Sequence, residues 1–349
     1  MTKTLDFRSD TVTQPSAAMR DAMMSAQLGD DVFGDDPSIN RLQANTAQQL
    51  GFEAALFAPT GTQTNLIALM THCGRGDEAL VGQLWHTYRW EAGGMAVLGS
   101  IQPQPLENQA DGTIRIEDLQ AAIKPDDAHF AKTKLVVIEN TTGGKVLPQS
   151  YIDSIGVFAK HNHLSTHLDG ARLMNAAVAT AALTSSVPTH DQCIDAARAL
   201  AKPFGSVSLC LSKGLGAPVG SLLLGSQAFI TAAKRYRKML GGGMRQAGFL
   251  AAAGSYALEH NVARLHQDHT LAKRLADGLS RFEFLTIASV HTNILFVRVA
   301  ADLATKFTAH LKEHGVLHTG VDYQRWVTHL DVNEASVAKA LDVVAAFKT

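Results

Sequence analysis

A lysine ends an apolar, strand-like stretch in the segment SLCLSKGLGAPVG, residues 208–220. Lys213 follows Ser212 and precedes a turn that is rich in glycine. Lysine is rarely buried without a partner, because an apolar wall cannot replace the water around its ammonium group. Lys213 is therefore either a charge that reaches the surface or an amine that loses its proton and acts as a nucleophile.

A second segment has the composition of a phosphate site. In APTGTQTN, residues 58–65, an apolar strand ends near Thr60, Gly61 and Thr62, and a helix follows. Glycine lets an anion approach the backbone closely, and the hydroxyl groups and the positive end of the helix dipole favour phosphate. Taken alone, the pattern also fits a simple turn. It matches neither GxGxxG nor GxxxxGKS/T, which argues against a nucleoside triphosphate site and against a nicotinamide dehydrogenase.

A carboxylate ends a third apolar strand. Asp169 lies in HLDGARLMNA, residues 167–176, three residues before Arg172. Taken alone, Asp169 would be interpreted as the N-cap of the following helix. A phosphate cradle, a strand-end carboxylate and a strand-end lysine are, however, the three groups that pyridoxal 5′-phosphate requires. They bind its phosphate, pair with its pyridinium nitrogen and form its Schiff base, so the three segments together predict a pyridoxal phosphate site.

Nine segments of the chain share one known pattern: FRSDTVTQPS, GDDVFGDDPSINRL, FAPTGTQTN, HCGRGDE, EAGG, HLDGARL, SLCLSKGLGAPVGS, YRKMLGGGMRQAG and VTHLDV. In order and spacing they resemble the motifs of the L-threonine aldolase family, of the low-specificity or L-allo-threonine type. That family is a branch of the fold-type I pyridoxal phosphate enzymes. The resemblance extends from Leu5 to about Val332, and its most specific parts are SKGLGAPVG and GGGMRQ.

The resemblance implies the roles of the cofactor residues. Lys213 forms the Schiff base, and Asp169 bonds the pyridinium nitrogen. His86, in QLWHTYRWEAGG, stacks on the cofactor ring. Gly61 and Thr62 bind the phosphate.

The resemblance also implies a substrate site. Arg172 lies near the cofactor and the substrate carboxylate, together with Ser9 of FRSDTVT and Arg325 of YQRWVTHLDV. His129, in DDAHFAKT, approaches the substrate hydroxyl, and either His86 or His129 acts as the base. Outside these motifs His129 would be an ordinary loop histidine and Arg325 a surface arginine, although bidentate capture of a carboxylate suits a guanidinium group.

Two basic residues connect the site with quaternary structure. By the resemblance, Lys238 and Arg245 of RKMLGGGMRQ reach a phosphate in an adjoining subunit. The protein would then be a homo-oligomer, a tetramer built as a dimer of dimers with shared active sites. Without the resemblance, these residues would be the basic end of a helix, favoured by its dipole.

The chain departs from the family pattern at three positions. ENTTGGK replaces ENTHNGK and so introduces Thr142 and Gly143, while Phe33 stands where tyrosine is common. We expect these changes to affect substrate contacts and stereochemical preference, and not the chemistry of the cofactor. No metal site is predicted, because the acidic loop GDDVFGDD lacks calcium-loop spacing and the histidines of KHNHLSTHLDG have no carboxylate or cysteine at ligand spacing.

The elements that must position these residues alternate along the chain. Apolar runs predict strands over 54–59, 134–140, 164–170 and 206–212, and helical patterns fall between them. Such alternation predicts a mostly parallel sheet covered on both faces by helices, the α/β architecture that fold type I also requires.

Helices are also predicted at both ends of the chain. The first begins after Pro15 and Ser16 and closes at Gly29, and the second follows Pro37 and Ser38 and stops at Gly51. Further on, EHNVARLHQDHTLAKRLADGL, residues 259–279, reads as one long helix, and TNILFVRV begins a second run of strand and helix. The predicted organisation is an N-terminal segment of the active site (1–14), a large cofactor-binding domain (15–253) and a small C-terminal α/β domain (254–349).

Composition limits the kinds of partner. The chain has 349 residues, of which 46% are hydrophobic, and 31 basic and 32 acidic side chains give a net charge of -1. Nothing in this balance attracts nucleic acid or a membrane, so small molecules and copies of the chain are the expected partners. The three cysteines are too scattered for a disulfide framework, and MTKTLDFRSD lacks the apolar stretch of a signal peptide, so a cytoplasmic location is expected.

The function implied by the resemblance is cleavage of L-threonine or L-allo-threonine, and of related β-hydroxy-α-amino acids, to glycine and an aldehyde such as acetaldehyde. Two alternatives remain open from the sequence. One is another fold-type I reaction on a small amino acid, β-elimination or racemisation. The other is a pyridoxal phosphate-binding protein without catalysis, which the presence of Ser9, Arg172 and Arg325 disfavours.

Overall fold

A seven-stranded sheet forms the centre of the larger part of the computed structural model, which describes residues 4–348. The strands, in chain order, are β1 (Leu5–Asp6), β2 (Ala54–Ala58), β3 (Asp77–Gly82), β4 (Gln102–Leu106), β5 (Lys132–Glu139), β6 (Ser165–Gly170), β7 (Ser206–Cys210), β8 (Ser221–Gly225), β9 (Leu285–His291), β10 (Ile294–Val299), β11 (Val316–Leu317) and β12 (Tyr323–Val327). The order in the large sheet is β2-β8-β7-β6-β5-β3-β4. Only β8 runs antiparallel to its neighbours, β2 and β7.

Helices cover this sheet and complete the smaller part of the chain. In chain order they are α1 (Ala17–Met24), α2 (Pro37–Leu50), α3 (Gly61–His72), α4 (His86–Arg89), α5 (Gly94–Val97), α6 (Ile116–Ala122), α7 (Gln149–His161), α8 (Leu173–Ala181), α9 (His190–Ala201), α10 (Gln227–Met239), α11 (Gly248–His260), α12 (Leu265–Leu279), α13 (Ala304–Glu313) and α14 (Glu334–Ala345). A short 3-10 turn spans Asp10–Val12.

The burial of the strands explains their continuous apolar sequences. Every residue of β7 and β8 is buried, because helices lie on both faces of the sheet. Strand β4 carries Pro103 and Pro105 and lies at the edge of the sheet, where a missing N–H costs no ladder bond. The mostly parallel α/β sheet is therefore confirmed, with β3, β4 and β8 added to the predicted strands.

Helix α2 stops at Gly51 as predicted, but it begins at Pro37, two residues before the predicted start. The Asp36 side chain accepts from the N–H groups of Ser38 and Ile39, each at 3.0 Å, and Pro37 occupies the first turn. The helix ends at Gly51, whose φ of 76° is left-handed and favours glycine.

The predicted end of α1 is wrong. The helix stops at Met24, not at Gly29, because the segment after it is bound by the start of α2. The Ser38 hydroxyl donates to the Gln27 carbonyl at 2.8 Å, and the Gly29 N–H donates to Asp36 at 3.3 Å. Glycine is needed at position 29 because the backbone there lies against the backbone of Asp35: a Cβ would be 2.3 Å from the Asp35 carbonyl oxygen.

The prediction of one long helix over 259–279 is also wrong. Helix α11 ends at His260 and α12 begins at Leu265. Asn261 lies between them, and its side-chain amide donates to the Leu215 carbonyl at 2.8 Å. This contact fixes the chain between the two helices.

Among residues 4–348, the two largest apolar cores surround the seven-stranded and the three-stranded sheets, and a smaller cluster that includes Leu56 and Ile230 packs against the larger sheet. The larger core surrounds the seven strands and includes residues from Met19 to Leu265. The second packs around the antiparallel sheet β12-β10-β9 and includes Trp326 and Phe307. Phe7 of the N-terminal segment belongs to this second core, because β1 pairs in parallel with β11.

The predicted domain boundary at 253/254 falls inside α11, whose buried residues pack with the larger core. The division into three parts stays a prediction. Among residues 4–348, no helix has the length and apolar character needed to cross a bilayer.

Candidate active site

Three neighbouring strands bring their carboxyl ends together at one edge of the large sheet. Glu139, the last residue of β5, is the register partner of Asp169 on β6, and Asp169 is in turn the partner of Ser208 on β7. Lys213 follows β7 by three residues. The parallel arrangement therefore places the lysine and two carboxyl groups at the same edge, where open α/β sheets bind ligands.

Asp169 is held rigidly at this edge. Its side chain is buried, with 2% of the residue exposed. Oδ2 accepts from Asn65 Nδ2 at 2.9 Å, and Oδ1 accepts from the Ala171 N–H at 3.0 Å. A fixed carboxylate with few protein partners suits the pyridinium nitrogen of pyridoxal phosphate.

His86 begins α4 and is bound at two atoms. Its backbone N–H donates to Glu139 Oε2 at 2.5 Å, and its ring Nδ1 lies 2.8 Å from Glu91 Oε1. The hydrogen bond with Glu91 raises the pKa of His86, an effect that burial only partly offsets. Burial raises the pKa of Glu91 in spite of its hydrogen bonds with His86 and Asn65.

Glu139 is the most perturbed carboxyl group of the site. Burial, and then the charge of Asp169, raise the pKa of Glu139 to about 8. The raised pKa favours the protonated form of Glu139, since two adjacent buried carboxyl groups ionise together only at a high cost. The protonated form reduces the negative charge beside Asp169.

Lys213 lies among these groups. Its ammonium charge is close enough to lower the pKa values of Asp10, His86 and Glu139. The backbone next to it is close-packed, because a Cβ on Gly214 would lie 2.8 Å from the Leu265 side chain. Glycine at this position thus allows the turn that carries the lysine.

Two arginines lie near one buried carboxylate, and the first of them bonds to it. Arg172 forms a bidentate ion pair with Asp10, through Nε at 2.8 Å and Nη2 at 2.7 Å. Asn293 donates to the same carboxylate at 3.1 Å. Burial would raise the pKa of Asp10, but Arg172, Lys213 and Asn293 hold it well below its ordinary value.

Arg325 is the second arginine. Burial, and then the charge of Arg172, lower the pKa of Arg325 to about 10, and Asp10 offsets this only in part. Its Nη1 donates to the Arg8 carbonyl at 3.4 Å. Ser9 is next to that carbonyl, at the N-cap of the 3-10 turn that carries Asp10. The positive charge here exceeds the negative charge, which favours a further carboxylate.

The start of α3 has the geometry of a phosphate cradle. Thr60 caps the helix by accepting from the Gln63 N–H at 3.1 Å. The N–H groups of the first turn have no acceptor within the helix. No heavy atom lies within 4 Å of a Cβ built on Gly61, so an anion can approach this turn, and Thr62 follows.

Lys238 and Arg245 lie on either side of the glycine loop 241–243. Arg245 pairs with Asp30 of its own chain at 3.1 Å, and its side chain is 56% exposed. The loop itself packs beside helix α3, where Gln63 Nε2 donates to the Leu240 carbonyl at 3.0 Å.

His129 is not brought to the same edge within one chain. It precedes β5, whose opposite end carries Glu139, and a strand of this length spans roughly 25 Å. Its side chain is 87% exposed, and its Nδ1 lies 2.6 Å from Asp127. Its approach to the substrate hydroxyl stays a prediction.

Two of the three departures from the family pattern lie in one tight turn. Thr142 and Lys145 exchange backbone hydrogen bonds at 3.0 Å, and Gly143 and Gly144 both have positive φ. A Cβ on Gly143 would meet only Phe296, at 3.9 Å, whereas one on Gly144 would lie 2.7 Å from the His291 carbonyl oxygen. Phe33 is 77% exposed.

Within residues 4–348, one group has atoms placed as metal ligands would be. His86, Glu91 and Asp169 each offer an atom within 4.8 Å of the others. These atoms already bond to one another or to Asn65, which gives the cluster a role without an ion. The absence of a metal stays a prediction.

Four residues of this site were missed by motif analysis: Asp10, Asn65, Glu91 and Glu139. Each lies inside or next to a quoted segment, and Glu139 ends an apolar strand just as Asp169 does. A search for polar residues at every predicted strand end would have found Glu139.

The comparisons with known proteins agree with this geometry. The family model described as "Beta-eliminating lyase" matches residues 6–302. A threonine aldolase structure from Leishmania major superposes with a TM-score of 0.80 at 22% identity and covers 98% of each chain, which confirms the fold-type I class. The "Low specificity L-threonine aldolase" of Escherichia coli is 50% identical over 335 residues, 96% of each chain. An alanine racemase of Cochliobolus carbonum is 36% identical over 97% of this chain and 86% of its own.

Both the family model and these relatives extend over most of the chain. The chain therefore belongs to the beta-eliminating lyase family, among the low-specificity L-threonine aldolases.

Proposed function

We propose that this protein binds pyridoxal 5′-phosphate and cleaves L-threonine and L-allo-threonine to glycine and acetaldehyde. The observation that carries the proposal is the arginine pair Arg172 and Arg325: Arg172 bonds to Asp10, and the charges of Arg325 and Lys213 lie near the same carboxylate. This arrangement favours the carboxylate of an amino acid next to a reactive amine. Family membership supports the choice of reaction.

The residues of the site fit the cofactor. Lys213 would hold it covalently, Asp169 would face its ring nitrogen, and the first turn of α3 at Gly61 and Thr62 would take its phosphate. Ser208 Oγ, on the strand next to Asp169, is buried and lacks a protein partner among the described residues, which suits a site completed by a polar molecule. When bound, pyridoxal phosphate supplies an electron sink for the pair left on the substrate α carbon.

The protein groups have separate tasks in the cleavage. Ser9, Arg172 and Arg325 orient the substrate carboxylate. His86 removes the proton of the β-hydroxyl, the bond between the α and β carbons breaks, and the β carbon leaves as the aldehyde. A proton added to the α carbon then gives glycine.

His86 is the base that the geometry favours over His129. If Nδ1–H donates to Glu91, the lone pair of Nε2 is free to accept a proton. His86 also lies at the edge where Asp169 and Lys213 meet, whereas His129 lies beyond the other end of β5.

Product analysis tests the reaction. The purified protein, loaded with pyridoxal phosphate, is incubated with L-threonine, L-allo-threonine and L-alanine. Equal amounts of glycine and acetaldehyde are expected from the threonine isomers, and none with Lys213→Ala. Ammonia with a keto acid would indicate β-elimination, and D-alanine would indicate racemisation, the alternative favoured by the racemase relative. A yellow protein that forms no product would be a non-catalytic cofactor binder.

The pH profile tests His86 as the base. Because its pKa is raised by Glu91, the neutral base form is lost as the pH falls through a value above 6.5. Glu91→Gln should lower that pKa and move the acid limb of kcat/KM to lower pH, with a plateau reduced by up to about 100-fold, the lower range of a placed base. Glu259→Gln, which alters an exposed pair with His260, is the control and should leave the profile unchanged. An acid limb that does not move in Glu91→Gln would assign the base to another group.

We further propose a cytoplasmic homotetramer, a dimer of dimers in which Lys238 and Arg245 reach the phosphate of a neighbouring subunit. All three cysteines are free and buried, which supports a reducing compartment. The exposure of Arg245 supports contact with another chain, and its bond to Asp30 must then be exchanged.

Mixing two inactive variants tests this sharing. Arg245→Ala and Lys213→Ala are combined under conditions where mass measurement shows subunit exchange. Part of the activity should return, because some sites would then contain an intact lysine from one parent and an intact arginine from the other. If exchange occurs and no activity returns, Arg245 acts within its own subunit.

A further inference from the structure

A chain of buried hydrogen bonds leads from Asp169 into the core of the large domain. Asn65 Nδ2 donates to Asp169 at 2.9 Å, and Asn65 Oδ1 lies 3.1 Å from His167 Nε2. His167 Nδ1 lies 2.8 Å from the Ser206 hydroxyl, which is 2.7 Å from His72 Nε2. Motif analysis assigned no function to Asn65, His167, Ser206 or His72.

The protons of this chain can be placed from its donors and acceptors. Asn65 Nδ2 faces two carboxylates, Asp169 and Glu91, each at 2.9 Å, so the amide nitrogen must be on that side. Asn65 Oδ1 can only accept, so His167 carries its proton on Nε2. Burial lowers the pKa of His167 to about 3, so Nδ1 is unprotonated and accepts from the Ser206 hydroxyl.

The last link follows by the same reasoning. The Ser206 hydroxyl has one proton, which it gives to His167, so it must accept from His72 Nε2–H. Burial lowers the pKa of His72 to about 4, which keeps this histidine neutral as well. In this series of hydrogen bonds, every donated proton therefore points towards Asp169, and Asn65, His167, Ser206 and His72 are all neutral.

We propose that Asn65 is a positioning residue for Asp169, and that the chain from His72 through Ser206 and His167 fixes its amide with the donors facing the carboxylates. This inference rests on the proposed function, because the role of Asp169 is to keep the cofactor ring nitrogen protonated.

Aligned dipoles stabilise an ionised Asp169 without a cation that would compete with the ring nitrogen. If every donor and acceptor in this series were exchanged, Asn65 Oδ1 would face the carboxyl groups of Asp169 and Glu91. That arrangement is favourable only if both carboxyl groups are protonated. Asn65 also bonds Glu91, which is the partner of His86. One amide therefore fixes the position of Asp169 relative to Glu91 and His86.

The proton positions are tested first in the cofactor-free protein. Histidine labelled with ¹⁵N at both ring positions distinguishes the tautomers, and His72→Gln and His167→Gln assign the two signals. Both rings should be neutral at pH 7, with the proton on Nε2. A proton on Nδ1 of His167, or a charged His167, would overturn the proposed direction of the chain whether or not the protein binds a cofactor.

The effect on the cofactor is tested with pyridoxal phosphate labelled with ¹⁵N in the ring. In Asn65→Leu, which keeps the side-chain volume but donates nothing, the ionised form of Asp169 loses one hydrogen bond. In a titration of the labelled ring nitrogen, the proton should therefore pass from the nitrogen to the Asp169 carboxylate about 10- to 100-fold more readily, as expected for one hydrogen bond to a charged group. Thr64→Val is the control, since Thr64 is buried on the same helix and bonds Gly61 and Ser221 instead. It should leave the titration unchanged.

His167→Leu and His167→Gln provide a second pair. Leucine removes the donor to Asn65 and should shift the titration in the same direction, whereas glutamine retains an N–H donor and should restore part of the shift. This pair decides the question if Asn65→Leu does not fold. A titration that is unmoved in the folded variants would show that Asn65 and His167 only pack, while failure of the wild-type protein to bind the cofactor at Lys213 would overturn the proposed function instead.

Discussion

Lys213→Ala should abolish both covalent cofactor attachment and turnover. The amine is the only group of the site expected to bind the cofactor covalently, and loss of a covalent nucleophile costs on the order of 10⁴- to 10⁶-fold in rate. Borohydride treatment followed by peptide mapping should label Lys213 in the wild-type protein, and the variant should lose the visible absorption band of the bound cofactor.

The fold should survive this change. Alanine removes a positive charge near Arg172 and leaves the glycine turn that follows unchanged. Lys202→Ala is the control, because Lys202 is exposed at the end of α9 and should remain active and coloured. Labelling of any other lysine in the wild-type protein would show that Lys213 is not the attachment site.

Asp169→Asn should separate catalysis from cofactor binding. The asparagine has the same shape and can still accept from Asn65 or Ala171, but it has no charge to hold the ring nitrogen protonated. The expected loss in kcat is about 100- to 1,000-fold, the range for removing one preorganised electrostatic partner. The phosphate and Lys213 anchor the cofactor independently, so bound pyridoxal phosphate should fall far less than kcat.

Equilibrium dialysis and steady-state kinetics of the same preparations measure the two effects. Asp195→Asn, which breaks an exposed ion pair with Arg198, is the control and should change neither. Wild-type turnover in Asp169→Asn would rule out the role of the carboxylate. A loss of cofactor as large as the loss of kcat would instead make Asp169 an anchoring residue.

The parts of the fold that were predictable are those with local causes. Helix α2 has a proline in its first turn and a glycine directly after its last residue, so its end was predicted and its start was predicted to within two residues. The ends of α1 and α11 depend on contacts with Asp36, Ser38 and Leu215, which are brought near only by the tertiary fold. Strand β8 was not predicted, because its direction depends on the strands on either side of it.

The candidate site divides in the same way. Lys213, Asp169 and Gly61 could be found because each ends an apolar strand or begins a helix, and such positions meet at one edge of a parallel sheet. The partner of Arg172 could not be found, because Asp10 is 162 residues away in the chain. Asn65 is 104 residues from Asp169, and its bond depends on α3 packing against the sheet.

The sequence by itself determined the kind of chemistry: a lysine, a carboxylate and a phosphate turn at strand ends, in the order of one enzyme family. Only the tertiary structure decided which atoms meet, and that burial and Asp169 raise the pKa of Glu139 to about 8. It also decided that a line of buried hydrogen bonds runs from Asp169 to His72. The physical reason is that residue order fixes local geometry, whereas pKa values and hydrogen-bond directions depend on burial and on charges brought together through space.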